Sequence, residues 1–174
     1  MSSSARASLA GVSAHEESNI YTSDYSVGTD GNASAGGVVA GNIDTNADAA
    51  GQPPSDNWLR FTVDAANTTH YFYKAHAVIP ASGCVRLRFK YYIPSTNSHL
   101  DGIKPNIGTA FQSNYATLDA ETAVDIYLYF SADSNATSFF ATDGGVTTFQ
   151  DAGGDDVFYI KDFIMDRWTR NPNV

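Results

Sequence analysis

The sequence is poor in several residue types, and each shortage excludes a class of protein. Its one cysteine, Cys84, cannot form an internal disulfide, and the apolar run around it predicts a buried or half-buried position. No apolar run approaches the roughly 18 residues that a membrane-spanning helix needs. Glutamate is scarce beside aspartate. Because aspartate favours turns whereas glutamate favours helices, this imbalance argues against a helical protein.

Positive charge is scarce as well. The chain has 10 lysines and arginines against 19 acidic residues, for a net charge of −9. Phosphate groups are bound by clustered cations, so nucleic acids and anionic membranes are not expected partners. The N-terminal segment lacks the apolar core of a secretory signal, so we expect a protein made in the cytoplasm.

What the sequence does contain is a series of short apolar runs separated by Gly, Asn, Asp and Ser clusters. The clearest runs are Trp58–Val63, His70–Val78, Cys84–Ile93, Val124–Phe130 and Val157–Met165; weaker ones are Asn19–Tyr25, Gly36–Asn42, Asn106–Phe111, Ser138–Ala141 and Val146–Phe149. Such spacing, without helical periodicity, predicts an all-β fold, a jelly-roll β-sandwich. We predict an extended N-terminal arm over residues 1–18, the sandwich over 19–166 and a C-terminal tail over 167–174.

Alternation along three of these strands separates an apolar face from a face that mixes cations with aromatic rings. On this basis the candidate interface or ligand platform consists of Trp58, Arg60, Arg86, Arg88, Lys90, Tyr92, Tyr127 and Tyr129, with Trp168 as a further anchor near the C-terminus. Flat rings beside polar groups suit sugar stacking, and they equally suit a protein interface. A third interpretation is that a second layer covers this face and that Asp125 pairs with the cations.

Catalytic patterns are missing. The sequence has no Gly-x-Ser-x-Gly, Walker or Rossmann pattern, and its four histidines lack zinc-ligand spacing, so we expect surface or interface histidines. Nearly all aspartates lie in Gly-, Asn- and Ser-rich turns, where capping and hydration explain them. We therefore predict a protein that is not an enzyme.

Several segments resemble jelly-roll carbohydrate-binding modules. The opening strand of those modules is similar to Tyr21–Ser26 with Asp30-Gly31, two middle strands are similar to Asn57–Val63 and Val85–Tyr92, and the closing strand is similar to Asp156–Phe163. The chain departs from that pattern at Asn32, where the family commonly has tryptophan, and at Lys161, which replaces an aspartate. Domains of this kind behind a short Ser/Ala-rich arm also resemble modules of tailed-phage structural proteins.

The resemblance also implies a possible structural Ca²⁺ between the opening and closing strands, with Asp24 and Asp162 as candidate ligands. Lys161 removes one carboxylate from that pattern and weakens the case. The acidic turns at Asp155-Asp156 and Asp143 offer the oxygen ligands that Ca²⁺ prefers, although acidic turns are usually only solvated. We expect no other cofactor.

Two functional hypotheses follow from the resemblance. The first is a phage virion protein made in the host cytoplasm, a homotrimeric capsid decoration or cement protein that binds the major capsid protein. In that hypothesis Leu9 and Val12 of the arm contact neighbouring subunits. The alternative is a carbohydrate-binding module or tail-fibre adhesin that recognises host surface glycans through Trp58, Tyr92, Tyr127 and Tyr129.

Overall fold

The fold was obtained as a computed structural model, which describes residues 15–23, 33–43, 53, 57–80, 84–108, 110–129 and 133–170. The strands are β1 (His15–Ser23), β2 (Ala33–Ala35), β3 (Gly37–Ile43), β4 (Trp58–Val63), β5 (Tyr71–Ile79), β6 (Cys84–Tyr92), β7 (Gly102–Ile107), β8 (Ala110–Phe111), β9 (Thr122–Tyr129), β10 (Ser134–Thr142) and β11 (Val157–Arg170). The described residues contain no helix, and so none that could span a membrane.

The strands form two antiparallel sheets. Sheet A has the order β3-β4-β11-β6-β9, and β1 also pairs with β11. Sheet B has the order β2-β5-β10-β7-β8. Strand β11 is long enough to pair with β4 along its first residues and with β1 along its last ones. The all-β sandwich that the sequence predicted is therefore confirmed.

A single apolar layer lies between the sheets. In β6 the alternate residues Val85, Leu87, Phe89 and Tyr91 are at most 2% exposed, as their spacing predicts. Phe139 of sheet B packs edge-on against Phe89 and Phe163 of sheet A, with ring centroids 5.0 and 5.2 Å apart. Cys84 is also buried, as expected.

A β-bulge in β11 determines which of its residues face the core. Asp162 has a φ of 50°, and the register with β6 shifts between Lys161 and Ile164. The extra residue reverses the alternation, so that Phe163 is fully buried. Residues beyond the bulge therefore face the opposite side from the one that simple alternation would assign.

Several predicted strand boundaries need correction. The predicted strand Gly36–Asn42 corresponds to β3, but the short strand β2 before it was not predicted, and β7 already begins at Gly102, before the predicted start at Asn106. The predicted strand Val146–Phe149 forms only isolated bridges. The residue at which a strand ends depends on its pairing with the neighbouring strand, and local residue preferences carry no information about that pairing.

The first and last strands, β1 and β11, pair with each other. Strand β1 begins at His15, within the predicted arm, because it pairs with β11 as far as His15 and Arg170. The residues 167–170 that the sequence assigned to a tail thus belong to sheet A. Residues 1–14, including the predicted contacts Leu9 and Val12, lie outside the described residues.

Candidate functional site

The outer face of sheet A collects most of the residues that the sequence singled out. Strand register places Tyr127 of β9, Arg86 of β6 and Asp166 of β11 in one row, and Asp125, Arg88 and Ile164 in the next. The predicted mixture of cations and aromatic rings on one face of sheet A is therefore present. Whether this face can hold a ligand depends on exposure and charge.

The aromatic side chains at one end of this face are buried. Trp58 is 0% exposed and Tyr92 7% exposed, and the two pack in one cluster with Tyr159. The ammonium group of Lys161 lies 5.6 Å from the Trp58 ring centre. Burial, together with the negative charge of Asp119, raises the pKa of Tyr92. Because these rings are buried, they offer no surface on which a sugar could stack.

The cations on the same face are paired with carboxylates. Arg86 donates two hydrogen bonds to Asp125, at 2.9 and 2.7 Å, and lowers the pKa of that carboxyl group. Lys90 lies 2.9 Å from Glu121 and 3.0 Å from Asp162, which raise its pKa. Arg88 pairs with Asp166. These three cations are thus paired, and the pair of Arg86 with Asp125 is the one that the third interpretation predicted.

The remaining predicted site residues that the structure describes lie at other positions in sheet A. Tyr127 is 42% exposed and lies under Arg86, with the guanidinium carbon 5.8 Å from its ring centre. Arg60 of β4 lies opposite Tyr159 of β11. Tyr129 and Trp168 pair with Cys84 from opposite sides. Asp162 lies on the outer face near Lys90, and Asp24 is outside the described residues.

The outer face of sheet B carries a second set of aromatic rings, which the sequence reasoning missed. Alternation in β5 places Tyr71 and Tyr73 outward, while Phe72 between them is fully buried. Strand register places Phe140 of β10 next to Tyr71. All three outward rings are partly exposed. We call Tyr71, Tyr73 and Phe140, with their polar neighbours Ser138 and Asn106, the sheet B platform.

Two rings of this platform stack on each other. The centroids of Tyr71 and Phe140 are 4.5 Å apart with planes inclined by 26°. Rings lying flat side by side could not approach so closely, so these two stack face to face. Tyr73 lies 6.2 Å from Tyr71 along the same strand. Small residues flank two of these rings on the neighbouring strands, Ala35 beside Tyr71 and Ser138 beside Tyr73. We call the three rings the aromatic ridge.

Polar groups lie beside the ridge. Asn106 pairs with Ser138 on the outward side of β7, and its side-chain nitrogen is buried without a hydrogen-bond partner. A buried amide donor without a partner is uncommon in proteins. Lys104 lies next to Phe140 and donates a hydrogen bond to the carbonyl oxygen of Gly145. The platform thus combines partly exposed aromatic rings with the hydroxyl group of Ser138 and the ammonium group of Lys104, whereas Asn106 is only 6% exposed.

The sequence contains two aromatic runs that could have predicted this platform. The run Tyr71-Phe72-Tyr73 places an aromatic ring on both faces of one strand, and Phe139-Phe140 does the same in another. Such runs indicate that the outward face carries apolar rings as well as the core face.

The acidic loop before β11 has a structural role. The carboxylates of Asp151, Asp155 and Asp156 have ligand atoms within 4.8 Å of one another. The oxygens of Asp156 accept hydrogen bonds from backbone N–H groups at Ser98, His99 and Leu100, and those of Asp151 accept three more within the loop. Asp156 therefore joins this loop to residues 98–100, and Asp151 stabilises the loop itself.

Asp151 is expected to make stability fall in acid. Burial alone would raise its pKa, but backbone N–H donors outweigh burial and hold the pKa below its usual value of 3.8. A lowered pKa in the folded state stabilises the fold above the usual value, and this contribution is lost as pH falls through the lowered one. A change from pH 7 to a pH below 3.8 should therefore lower the free energy of unfolding less in the variant Asp151→Asn than in the unaltered protein. Urea unfolding at both pH values measures this, and equal losses would contradict it.

Comparison with known proteins identifies the fold class. No protein-family model and no curated protein sequence matches the chain. Among solved structures, the CBM22-1 and GH10 modules of Clostridium thermocellum endo-1,4-β-D-xylanase 10B with xylohexaose give a TM-score of 0.60 at 7% identity, covering 90% of this chain and 29% of that chain. The CBM22-2 xylan-binding domain of Paenibacillus barcinonensis Xyn10C gives 0.54 at 12% identity, covering 84% and 98%. A point mutant of the family 29 carbohydrate-binding module CBM29-2 gives 0.53 at 11%, covering 87% and 91%.

These likenesses show that the chain has the jelly-roll sandwich found in carbohydrate-binding modules. The part of the predicted resemblance that concerns those modules is confirmed at the level of the fold. Nothing in these comparisons links the chain to phage structural proteins. The virion location, the trimer, the capsid partner and the Ca²⁺ ion stay predictions from the sequence resemblance.

Proposed function

We propose that this protein is a non-catalytic carbohydrate-binding module that holds a glycan on the sheet B platform. The observation that carries the proposal is the partly exposed ridge of Tyr71, Phe140 and Tyr73, with ring centroids 4.5 and 6.2 Å apart on one outer face. Aromatic faces and edges bind the C–H surfaces of sugars, while amide and hydroxyl groups bind their hydroxyls. Ser138 supplies a hydroxyl group beside the ridge, and Lys104 supplies an ammonium group.

Sheet B is a better candidate than the face of sheet A that the sequence favoured. On sheet A the rings of Trp58 and Tyr92 are buried, and Arg86, Arg88 and Lys90 have carboxylate partners. A ligand there would have to displace ion pairs before it gained contacts. On sheet B the rings are already accessible, so binding requires less rearrangement.

The first ligand to test is a β-1,4-linked xylan fragment. Two of the similar structures are described as a xylan-binding domain and as a complex with xylohexaose. We therefore propose xylohexaose as the initial probe, followed by other linear plant and bacterial polysaccharides on a glycan array. Binding is measured by isothermal titration calorimetry.

Removal of one ridge ring should weaken binding strongly. We expect Tyr71→Ala to lower glycan affinity by about tenfold or more, because aromatic anchors of this kind contribute about 1.4 kcal/mol or more. The matched control is Tyr127→Ala, which removes a 42% exposed tyrosine from sheet A. Its affinity should stay within about twofold, well below the tenfold that corresponds to 1.4 kcal/mol.

The opposite pattern would place the ligand on sheet A. If Tyr127→Ala abolished binding and Tyr71→Ala did not, the sheet B platform would be rejected. If no glycan on the array bound, carbohydrate recognition itself would be rejected. Thermal unfolding of each variant verifies that lost binding does not reflect lost folding.

A further inference from the structure

We infer that the glycan held by the sheet B platform carries a uronic acid, whose carboxylate pairs with Lys104. This inference rests on the proposed function and adds the chemical class of the ligand. The two sheets differ in how their charged residues are distributed.

The strands of sheet B contain no acidic residue. Their sequences include the lysines Lys74 and Lys104 but neither aspartate nor glutamate, in a chain whose net charge is −9. Lys74 lies over the ring of Tyr21, 4.3 Å from its centre. Lys104 is therefore the cation that strand alternation and register place on the platform side of sheet B.

Lys104 differs from the cations of sheet A in its partners. Arg86, Arg88 and Lys90 each lie within ion-pair distance of a carboxylate. In the described part of the chain, Lys104 has no such carboxylate, and its ammonium group donates to the neutral carbonyl of Gly145. Asp101 lies near the same turn, but both of its carboxylate oxygens accept a hydrogen bond from the backbone N–H of Gly144, at 3.1 Å.

The ammonium group is both positioned and available. An ammonium has three N–H donors, and the Gly145 carbonyl accepts one of them. That bond fixes the ammonium group at the turn that follows β10, while Lys104 itself lies beside Phe140 across the β7–β10 pair. A sugar in contact with Phe140 that bears a carboxylate would thus meet a half-buried positive charge with unused donors. Charge-assisted hydrogen bonds of this kind are stronger than those between neutral groups.

The experiment compares a pair of ligands that differ only in charge. One is a xylo-oligosaccharide bearing a single glucuronic acid unit, and the other is the same molecule after its carboxyl group has been reduced to an alcohol. We expect the unaltered protein to bind the acidic form roughly threefold to tenfold more tightly, the range of an exposed to partly buried ion pair. Calorimetry at fixed salt concentration measures the ratio of the two affinities.

Three variants of the protein test whether Lys104 causes the preference for the acidic ligand. Lys104→Gln should reduce the ratio to about one, whereas Lys104→Arg, which keeps the charge, should preserve a preference for the acidic form. Lys161→Gln removes the same charge from the opposite sheet and should leave the ratio unchanged, which separates local pairing from the net charge of the protein.

Two results would overturn the inference without touching the proposed function. One is equal affinity of the unaltered protein for the two ligands while Tyr71→Ala still weakens both. The other is a preference for the acidic ligand that persists in Lys104→Gln. Absence of any binding to either ligand or to the array would instead count against the proposed function itself.

Discussion

Replacement of Asp156 by alanine is expected to lower the free energy of unfolding by about 3 kcal/mol or more. The Asp156 side chain is buried, and its oxygens accept backbone hydrogen bonds from Ser98, His99 and Leu100 at 2.7, 2.7 and 2.8 Å. Truncation leaves these donors without their acceptor. Each buried, unsatisfied donor costs about 1–3 kcal/mol, and Leu100 is only 1% exposed, so water does not replace the carboxylate there.

The control for this prediction keeps the shape of the side chain. Asp156→Asn retains one carbonyl oxygen that can accept from the loop, so its loss of stability should lie between that of the alanine variant and zero. Urea denaturation at neutral pH gives both values. A loss below about 1 kcal/mol for Asp156→Ala would mean that the loop does not depend on this carboxylate.

This loop also shows what the sequence could and could not predict. The residues of β6 alternate without interruption, and the predicted core face of Val85, Leu87 and Phe89 is buried as expected. In contrast, the sequence indicates only a solvated acidic turn or a Ca²⁺ ligand at Asp156, and not an acceptor for three backbone N–H groups. Its partners lie 56 to 58 positions away in the chain, and no local pattern indicates such a contact.

The candidate site was harder to predict for a similar reason. Alternation correctly placed Arg86 and Arg88 on the outer face of sheet A and suggested Asp125 as a partner, but it did not indicate Asp166, which lies 78 positions from Arg88. The burial of Trp58 likewise depends on packing with Tyr92 and Tyr159, which local periodicity does not describe. Which of two outer faces stays accessible is a tertiary property.

The sheet B platform depends on register in the same way. Tyr71 and Phe140 are distant in sequence and become neighbours only because β5 pairs with β10 in one particular register. A shift by one residue would turn Phe140 into the core and Phe139 outward. The aromatic runs could therefore have indicated that sheet B bears outward rings, but not that two of them stack at 4.5 Å.

Among the glycines whose surroundings the structure describes, Gly36, in the corner between β2 and β3, is expected to tolerate a side chain least. Its φ is 64°, and a Cβ placed there would lie 2.0 Å from the carbonyl oxygen of Thr69. The carbonyl of Gly36 accepts a hydrogen bond from the backbone of Asp64, and it lies 2.6 Å from Nδ1 of His70. His70 is fully buried, which corrects the expected surface position, and its other ring nitrogen lies 3.2 Å from the carbonyl of Phe149.

We therefore expect Gly36→Ala to lower the free energy of unfolding by about 3–5 kcal/mol, because relief of the clash must move the backbone that holds His70. The matched control is Gly144→Ala, at a φ of 55° with no atom within 4 Å of the added Cβ. It bears only the left-handed backbone cost of about 1–2 kcal/mol. Since both glycines have positive φ, the difference between the two variants in urea denaturation measures the steric contact alone. Equal losses would show that the corner rearranges freely, and because Ala35 of β2 lies beside Tyr71, such freedom would also loosen the β2 side of the platform.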